Sequence, residues 1–275
     1  MKKLIIKSVV IILIINLFYA CTEVVNVSVP NGGERLVIEA SILWEKGTSG
    51  VNQTIKLSTS TEYFSNEPNK PVLNAQVQVT NTNTGEVFTF TNQNNGNYTI
   101  GTFNPVLNDE YELEVLYDGK TYRATETLIS VVGIKNIEQE AVPSIGGDDE
   151  IKLKVYFDDP KDIANYYLGV FQASNLAIPD LETLKDEFTD GNQNFIEYED
   201  EDLVKGGTVT LSLQGISRRY YNYIDLLIEQ LGQGGPFQTT PARVKGNCIN
   251  INDSNEEVFG YFRLSETVND VYTIN

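Results

Sequence analysis

The densest group of residues able to do chemistry is acidic: Glu197, Glu199, Asp200, Glu201 and Asp202 fall within one short stretch. Paired carboxylates act as acid and base on a glycosidic bond when they stand roughly 5–10 Å apart and one is held protonated. Neighbouring solvated side chains meet neither condition, so the run reads as a solvated acidic loop and the chain as a non-enzyme. Asp190, Asn192, Asn194 and Glu201 occupy positions 1, 3, 5 and 12 of a calcium-loop spacing, in which oxygen ligands converge on one cation. Phe195 stands where that loop needs glycine and no good helix pair flanks it, so a solvated loop is the competing reading. No cofactor is expected. Tyr166-Tyr167 and Tyr220-Tyr221-Tyr223 offer aromatic platforms for a sugar or a protein partner. Strand and helix periodicity turn about half of them inward, leaving Tyr167 and Tyr221 as the expected exposed members.

The chain has no histidine. That removes the usual base near neutral pH, the Ser-His and Cys-His nucleophile pairs and the commonest zinc ligand. Of the two cysteines, Cys248 reads as a small buried apolar residue, and Cys21 has a different setting. Lys2, Lys3 and Lys7 precede a charge-free apolar run from Val9 to Ala20, and Cys21 follows directly. Spanning a bilayer takes roughly 20 apolar residues, so this shorter run reads as a cleaved export signal over residues 1–20. Cys21 then becomes the lipidated N-terminus, where each buried CH2 stabilises by about 0.8 kcal/mol and several acyl chains hold the protein on a bilayer. The alternative is an uncleaved anchor with an incidental cysteine.

Losing the three leader lysines leaves 17 basic against 38 acidic residues, a net charge of −21. Such a chain repels phosphate backbones, which argues against nucleic acid and against adhesion to an anionic lipid face. The stretch Glu138–Asp202 alone carries 18 acidic and 4 basic residues, so the second half holds the acidic face.

The elements that must position these residues are mainly β. Residues 21–33 read as a lipidated tether ending at Pro30-Asn31-Gly32-Gly33. Strands are expected at Leu36–Trp44 and Thr54–Tyr63, and Ala75, Val77 and Val79 alternate with polar residues as on a half-buried sheet. Turns at Thr84-Gly85, Asn95-Gly96 and Asp118-Gly119 complete about seven strands, which predicts a β-sandwich over 34–132. Residues 133–275 read as a second, acidic β-rich domain, with a turn at Gly146–Asp149 and strands at Ile151–Phe157, Tyr166–Gln172, Thr208–Leu213, Val244–Ile251 and Val258–Leu264. Leu181, Leu184 and Phe188 suggest a short helix. A stronger one spans 217–231, where Tyr220, Ile224, Leu227 and Leu231 form a stripe that Gly232 ends and that covers one sheet.

Several ordered pieces carry a resemblance. They are Cys21–Val25 leading through Pro30 to Arg35–Ala40, then Pro71–Val77, Asp158-Asp159-Pro160 with Asn165-Tyr166-Tyr167, Asp190-Gly191, and Pro241–Asn250 with Gly260-Tyr261-Phe262. Together they resemble the Bacteroidota lipoproteins of the domain-of-unknown-function 4249 family, whose genes commonly lie beside TonB-dependent outer-membrane receptors. Cys248 departs from the family's more usual aliphatic residue. Ala75–Ile100 also looks like a carboxypeptidase-regulatory or transthyretin-like sandwich. The resemblance implies an Ig-like or transthyretin-like sandwich followed by a β-rich domain with one covering helix. It further implies a lipid-anchored outer-membrane accessory protein, expected at the cell surface and partnered by a β-barrel receptor. A glycan- or small-ligand-binding lipoprotein that delivers nutrient to a transporter is the alternative.

Overall fold

Alternation of apolar and polar residues builds most of the fold. In the computed structural model, which describes residues 33–62, 65, 67–143, 150–231 and 243–275, the chain is mainly β with one helix. The leader, Cys21, the tether up to Gly32, the turn at Gly146–Asp149 and the stop at Gly232 lie outside the described residues.

The first half contains β1 (Leu36–Glu45), β2 (Gln53–Thr59), β3 (Lys70–Pro71), β4 (Gln76–Asn81), β5 (Val87–Asn92), β6 (Asn97–Ile100), β7 (Glu110–Tyr117) and β8 (Lys120–Ile129). In β1, Leu36, Ile38, Ala40 and Ile42 point inward, and Val77 and Val79 of β4 do the same, as a period of two requires. Asp118 and Gly119 both take positive φ, 50° and 71°, and join β7 to β8 with Tyr117 opposite Lys120. This is the two-residue turn whose twist matches a hairpin.

The second half contains β9 (Ile134–Val142), β10 (Glu150–Asp158), β11 (Tyr166–Ala173), β12 (Asp180–Lys185), β13 (Gln193–Asp200), β14 (Thr208–Gly215), α1 (Arg218–Leu231), β15 (Ile249–Asn250) and β16 (Phe259–Thr273). Strands β13, β10 and β9 form a three-stranded antiparallel sheet. Its Leu153, Val155, Phe157, Ile196 and Tyr198 pack against Tyr167, Phe171, Val209, Leu211 and Leu213 of β11 and β14. Phe171 stacks on Tyr198 with ring centres 4.9 Å apart. The outer face of β11 lies under α1, where Leu168, Ile216, Tyr220, Ile224 and Tyr261 form a separate apolar cluster.

β16 ties the two halves together. It runs parallel to β1 from Val37↔Phe259 to Glu45↔Thr267, then antiparallel to β14 from Gln214↔Thr267 to Thr208↔Thr273. A contact of β16 with β8 closes a ring through β1, β2, β6, β5, β4, β7 and β8. Cys248, Val258, Phe262 and Leu264 therefore belong to the first hydrophobic core, and Glu34–Thr61 with Ser65–Asn275 form one compact unit. The first hydrophobic cluster ends at Leu128 and the second begins at Val131, close to the expected boundary at residue 132, but the C-terminal segment crosses it to join the first.

Three other expectations are corrected. Asp180–Lys185 is an edge strand on β11 instead of a helix, and Phe188 is 89% exposed. A few residues gain little from an isolated helical turn, whereas the open edge of β11 offers a ladder of hydrogen bonds. The strand expected at Val244–Ile251 shrinks to Ile249–Asn250, and the one expected to end at Leu264 continues to Thr273.

Candidate functional site

One end of the layers that β9, β10 and β13 form against β11 and β14 gathers three aspartates from distant parts of the sequence. Asp159 follows β10, Asp186 follows β12 and Asp190 precedes β13. Pro160 biases Asp159 toward an extended backbone, and the Asp159 N–H continues the β10–β13 ladder by donating to the Asn192 carbonyl at 3.0 Å. Asp186 N–H donates to the Asn165 carbonyl at 3.3 Å, which holds the end of β12 against the start of β11. Two successive turns, Thr189 N–H to Asp186 O (2.7 Å) and Asn192 N–H to Thr189 O (3.0 Å), then bring Asp190 back to the same place. Gly191 takes φ +70°, and a Cβ there would sit 2.8 Å from the Lys161 side chain, so glycine is required on both counts.

One oxygen from each of the three carboxylates lies within 4.8 Å of the others; Asp159 and Asp186 are buried and Asp190 is exposed. Fixed donors orient each group. Tyr167 Oη donates to Asp159 Oδ1 at 2.6 Å and Gly191 N–H to Asp159 Oδ2 at 3.1 Å. Asn165 N–H donates to Asp186 Oδ2 at 2.7 Å, and Asp162 N–H reaches both Asp190 oxygens at 2.9 and 3.2 Å. Burial, and then the Asp159 carboxylate, push the Tyr167 phenol above its usual range, which keeps it a donor. No lysine or arginine among the described residues forms an ion pair with any of the three. At an effective dielectric constant of about 20, two carboxylates this close repel by roughly 3.5 kcal/mol, so the arrangement favours a positive guest.

The residues expected from the sequence fare differently. Asp190 belongs to this cluster, but Glu201 follows the far end of β13, an eight-residue strand that extends over roughly 25 Å. Asn192 is exposed and its amide donates to the Asp190 carbonyl at 3.3 Å, while Asn194 is buried. The four-residue calcium-loop spacing therefore does not converge, because an extended strand, not a loop, separates its members. Tyr167 is 2% exposed and faces the sandwich core, with its ring 4.7 Å from Phe157, so the expectation that it is an exposed recognition residue is corrected. Its neighbour Tyr166 lies on the opposite face of β11 and packs on half-buried Tyr221 at 5.2 Å. The acidic run is split by strand alternation. Glu197 and Glu199 share Lys152 on the outer face, and Asp200 Oδ1 accepts from Asp202 N–H.

Asp159 and Asp186 were not legible as ligands, since they lie 31 and 4 residues from Asp190 with no regular spacing. The available signal was the pair of motif pieces Asp158-Asp159-Pro160 and Asp190-Gly191, which the fold brings together.

None of the curated proteins matches the chain. Among solved structures, a two-domain fibronectin type-III segment of chicken tenascin is 9% identical, over 88% of this chain and 99% of that one, with a TM-score of 0.25. The chicken interferon gamma receptor alpha chain is 11% identical over 68% and 90%, with a TM-score of 0.21. A DUF4785 family protein from Legionella pneumophila is 13% identical over 66% and 51%, with a TM-score of 0.25. Likenesses this distant carry no functional argument. A family model described as a domain of unknown function, DUF4249, matches residues 22–269, nearly the whole chain, and the protein therefore belongs to the DUF4249 family.

Proposed function

We propose that this protein is a lipid-anchored accessory protein of the outer membrane that binds or caps a TonB-dependent receptor or a similar β-barrel assembly. One observation supports the anchored part of the reading: the family match begins at residue 22, directly behind Cys21. The lysines and the apolar run thus precede the matched region and Cys21 adjoins it, as a leader and an acylation site would. Among the described residues no helix is long and apolar enough to cross a membrane. In this reading, attachment is left to acyl chains on Cys21. The 12 residues from Thr22 to Gly33 reach at most about 40 Å, enough to hold the β unit close to the membrane beside a barrel. The work of the protein is contact, with the acidic second half as the recognition face and the cell surface as its location.

The test is co-purification. Tagged protein extracted from outer membranes in mild detergent brings down a β-barrel receptor in stoichiometric yield. Recovery of the protein alone, from cells that express the neighbouring receptor, contradicts the reading.

A further inference from the structure

We propose that Asp159, Asp186 and Asp190 form a binding site for a hard divalent cation of the calcium class, which clamps the segment 159–165 to the segment 186–191. The inference is independent of the membrane role proposed above.

The three carboxylates, two of them buried, approach one another, and no lysine among the described residues forms an ion pair with them. They lie close enough for each pair to share one ion, because two oxygens each about 2.4 Å from one cation stand at most about 4.8 Å apart. The donors from Tyr167, Gly191, Asn165 and Asp162 leave further lone pairs on the carboxylate oxygens, since each carboxylate offers about four acceptor sites.

A second observation points to a guest. Five enclosed side-chain atoms among the described residues have no hydrogen-bond partner, and two of them flank this cluster. Thr189 Oγ1 lies in the turn between Asp186 and Asp190. Asn194, 5% exposed, leaves its Nδ2 unpartnered. Asn194 stands opposite Phe157, one step inward from the Asp159–Asn192 pairing, so its side chain shares the buried face with Asp159. Buried polar groups are rarely left without a partner. Exchanging the two ends of the Asn194 amide puts an oxygen at the enclosed position, and a cation among the aspartates gives both that oxygen and the Thr189 hydroxyl a partner. Three carboxylates, with no nitrogen or sulfur ligand among them, select calcium over zinc or copper.

The test uses the whole chain, stripped with a chelator and titrated with calcium chloride by calorimetry, with terbium(III) as an optical probe. Calcium binds at one site with a Kd at or below about 10⁻³ M, the range of extracellular modules. Terbium gives tyrosine-sensitised emission through Tyr167, whose hydroxyl touches Asp159. Asp190→Asn, at an exposed position, and Asp186→Asn each weaken both signals at least tenfold, whereas Glu201→Gln leaves them unchanged. Absence of saturable heat and of sensitised emission from the folded wild type overturns the proposal. So does equal binding by folded Asp190→Asn.

Discussion

Replacing Tyr261 with phenylalanine tests how buried polar contacts hold β16 in place. The Tyr261 hydroxyl donates to Glu126 Oε2 at 3.2 Å, and Glu126 is 4% exposed. Glu126 keeps the Thr127 N–H at 3.1 Å and the exposed Arg219 guanidinium at 3.6 Å. The Tyr261 ring contacts with Tyr220 and Tyr223, at 5.0 and 4.6 Å, survive the substitution, so the change removes one hydrogen bond and little packing. A hydrogen bond to a charged group contributes about 1.5–3 kcal/mol, and the long distance places this one near about 1.5. Urea denaturation at pH 7, followed through Trp44 and tyrosine fluorescence, should show that loss with an unchanged denaturant slope. The pH dependence gives a second check. Burial, and then Glu126, raise the Tyr261 phenol above its ordinary value. Its stabilising contribution is therefore complete below about pH 10, where the unfolded tyrosine titrates, and is lost as pH rises toward the folded value. Wild type and variant should converge in stability above about pH 10. Equal stability at pH 7, or a gap that stays constant through pH 11, would show that the hydroxyl does not hold β16 in this way.

Three further outcomes are expected. Tyr198 has a buried hydroxyl without a partner, so Tyr198→Phe should leave thermal stability equal or raise it by about 1 kcal/mol, and a clear loss would reveal an unseen partner. Burial pushes the Cys248 thiol up to about 12, so it should resist a thiol reagent at pH 8 in the native state and react at once in denaturant. Glu266 accepts from Lys46 Nζ at 3.0 Å and from the buried Val131 N–H at 2.9 Å, so Glu266→Ala should cost about 2 kcal/mol in denaturation midpoint analysis.

Period-two alternation was enough to read β4, which buries one face against a single core, and β1 was legible as a strand. The helix α1 was legible from Tyr220 and Ile224, and the hairpin at Asp118-Gly119 from its turn chemistry. β16 was legible only as far as Leu264, because Tyr261–Thr267 is buried without interruption and includes Arg263, Ser265, Glu266 and Thr267. Such residues look like a loop until their partners are known. The Arg263 guanidinium meets Gln214 Oε1 at 2.6 Å and lies over the Tyr220 ring at 4.8 Å, and Glu266 meets a lysine 220 residues away. The aspartate cluster stayed hidden for the same reason. Asp190 was singled out from local spacing, but its neighbours Asp159 and Asp186 are brought to it by strand pairing and by the turns that follow, which no fixed spacing encodes.

Mass spectrometry of the protein purified from membranes tests whether the β unit is tethered through Cys21. A tethered protein has its N-terminus at Cys21, carrying diacylglyceryl and acyl groups, with residues 1–20 removed. An unmodified chain that begins at Met1, recovered from the soluble fraction, contradicts it.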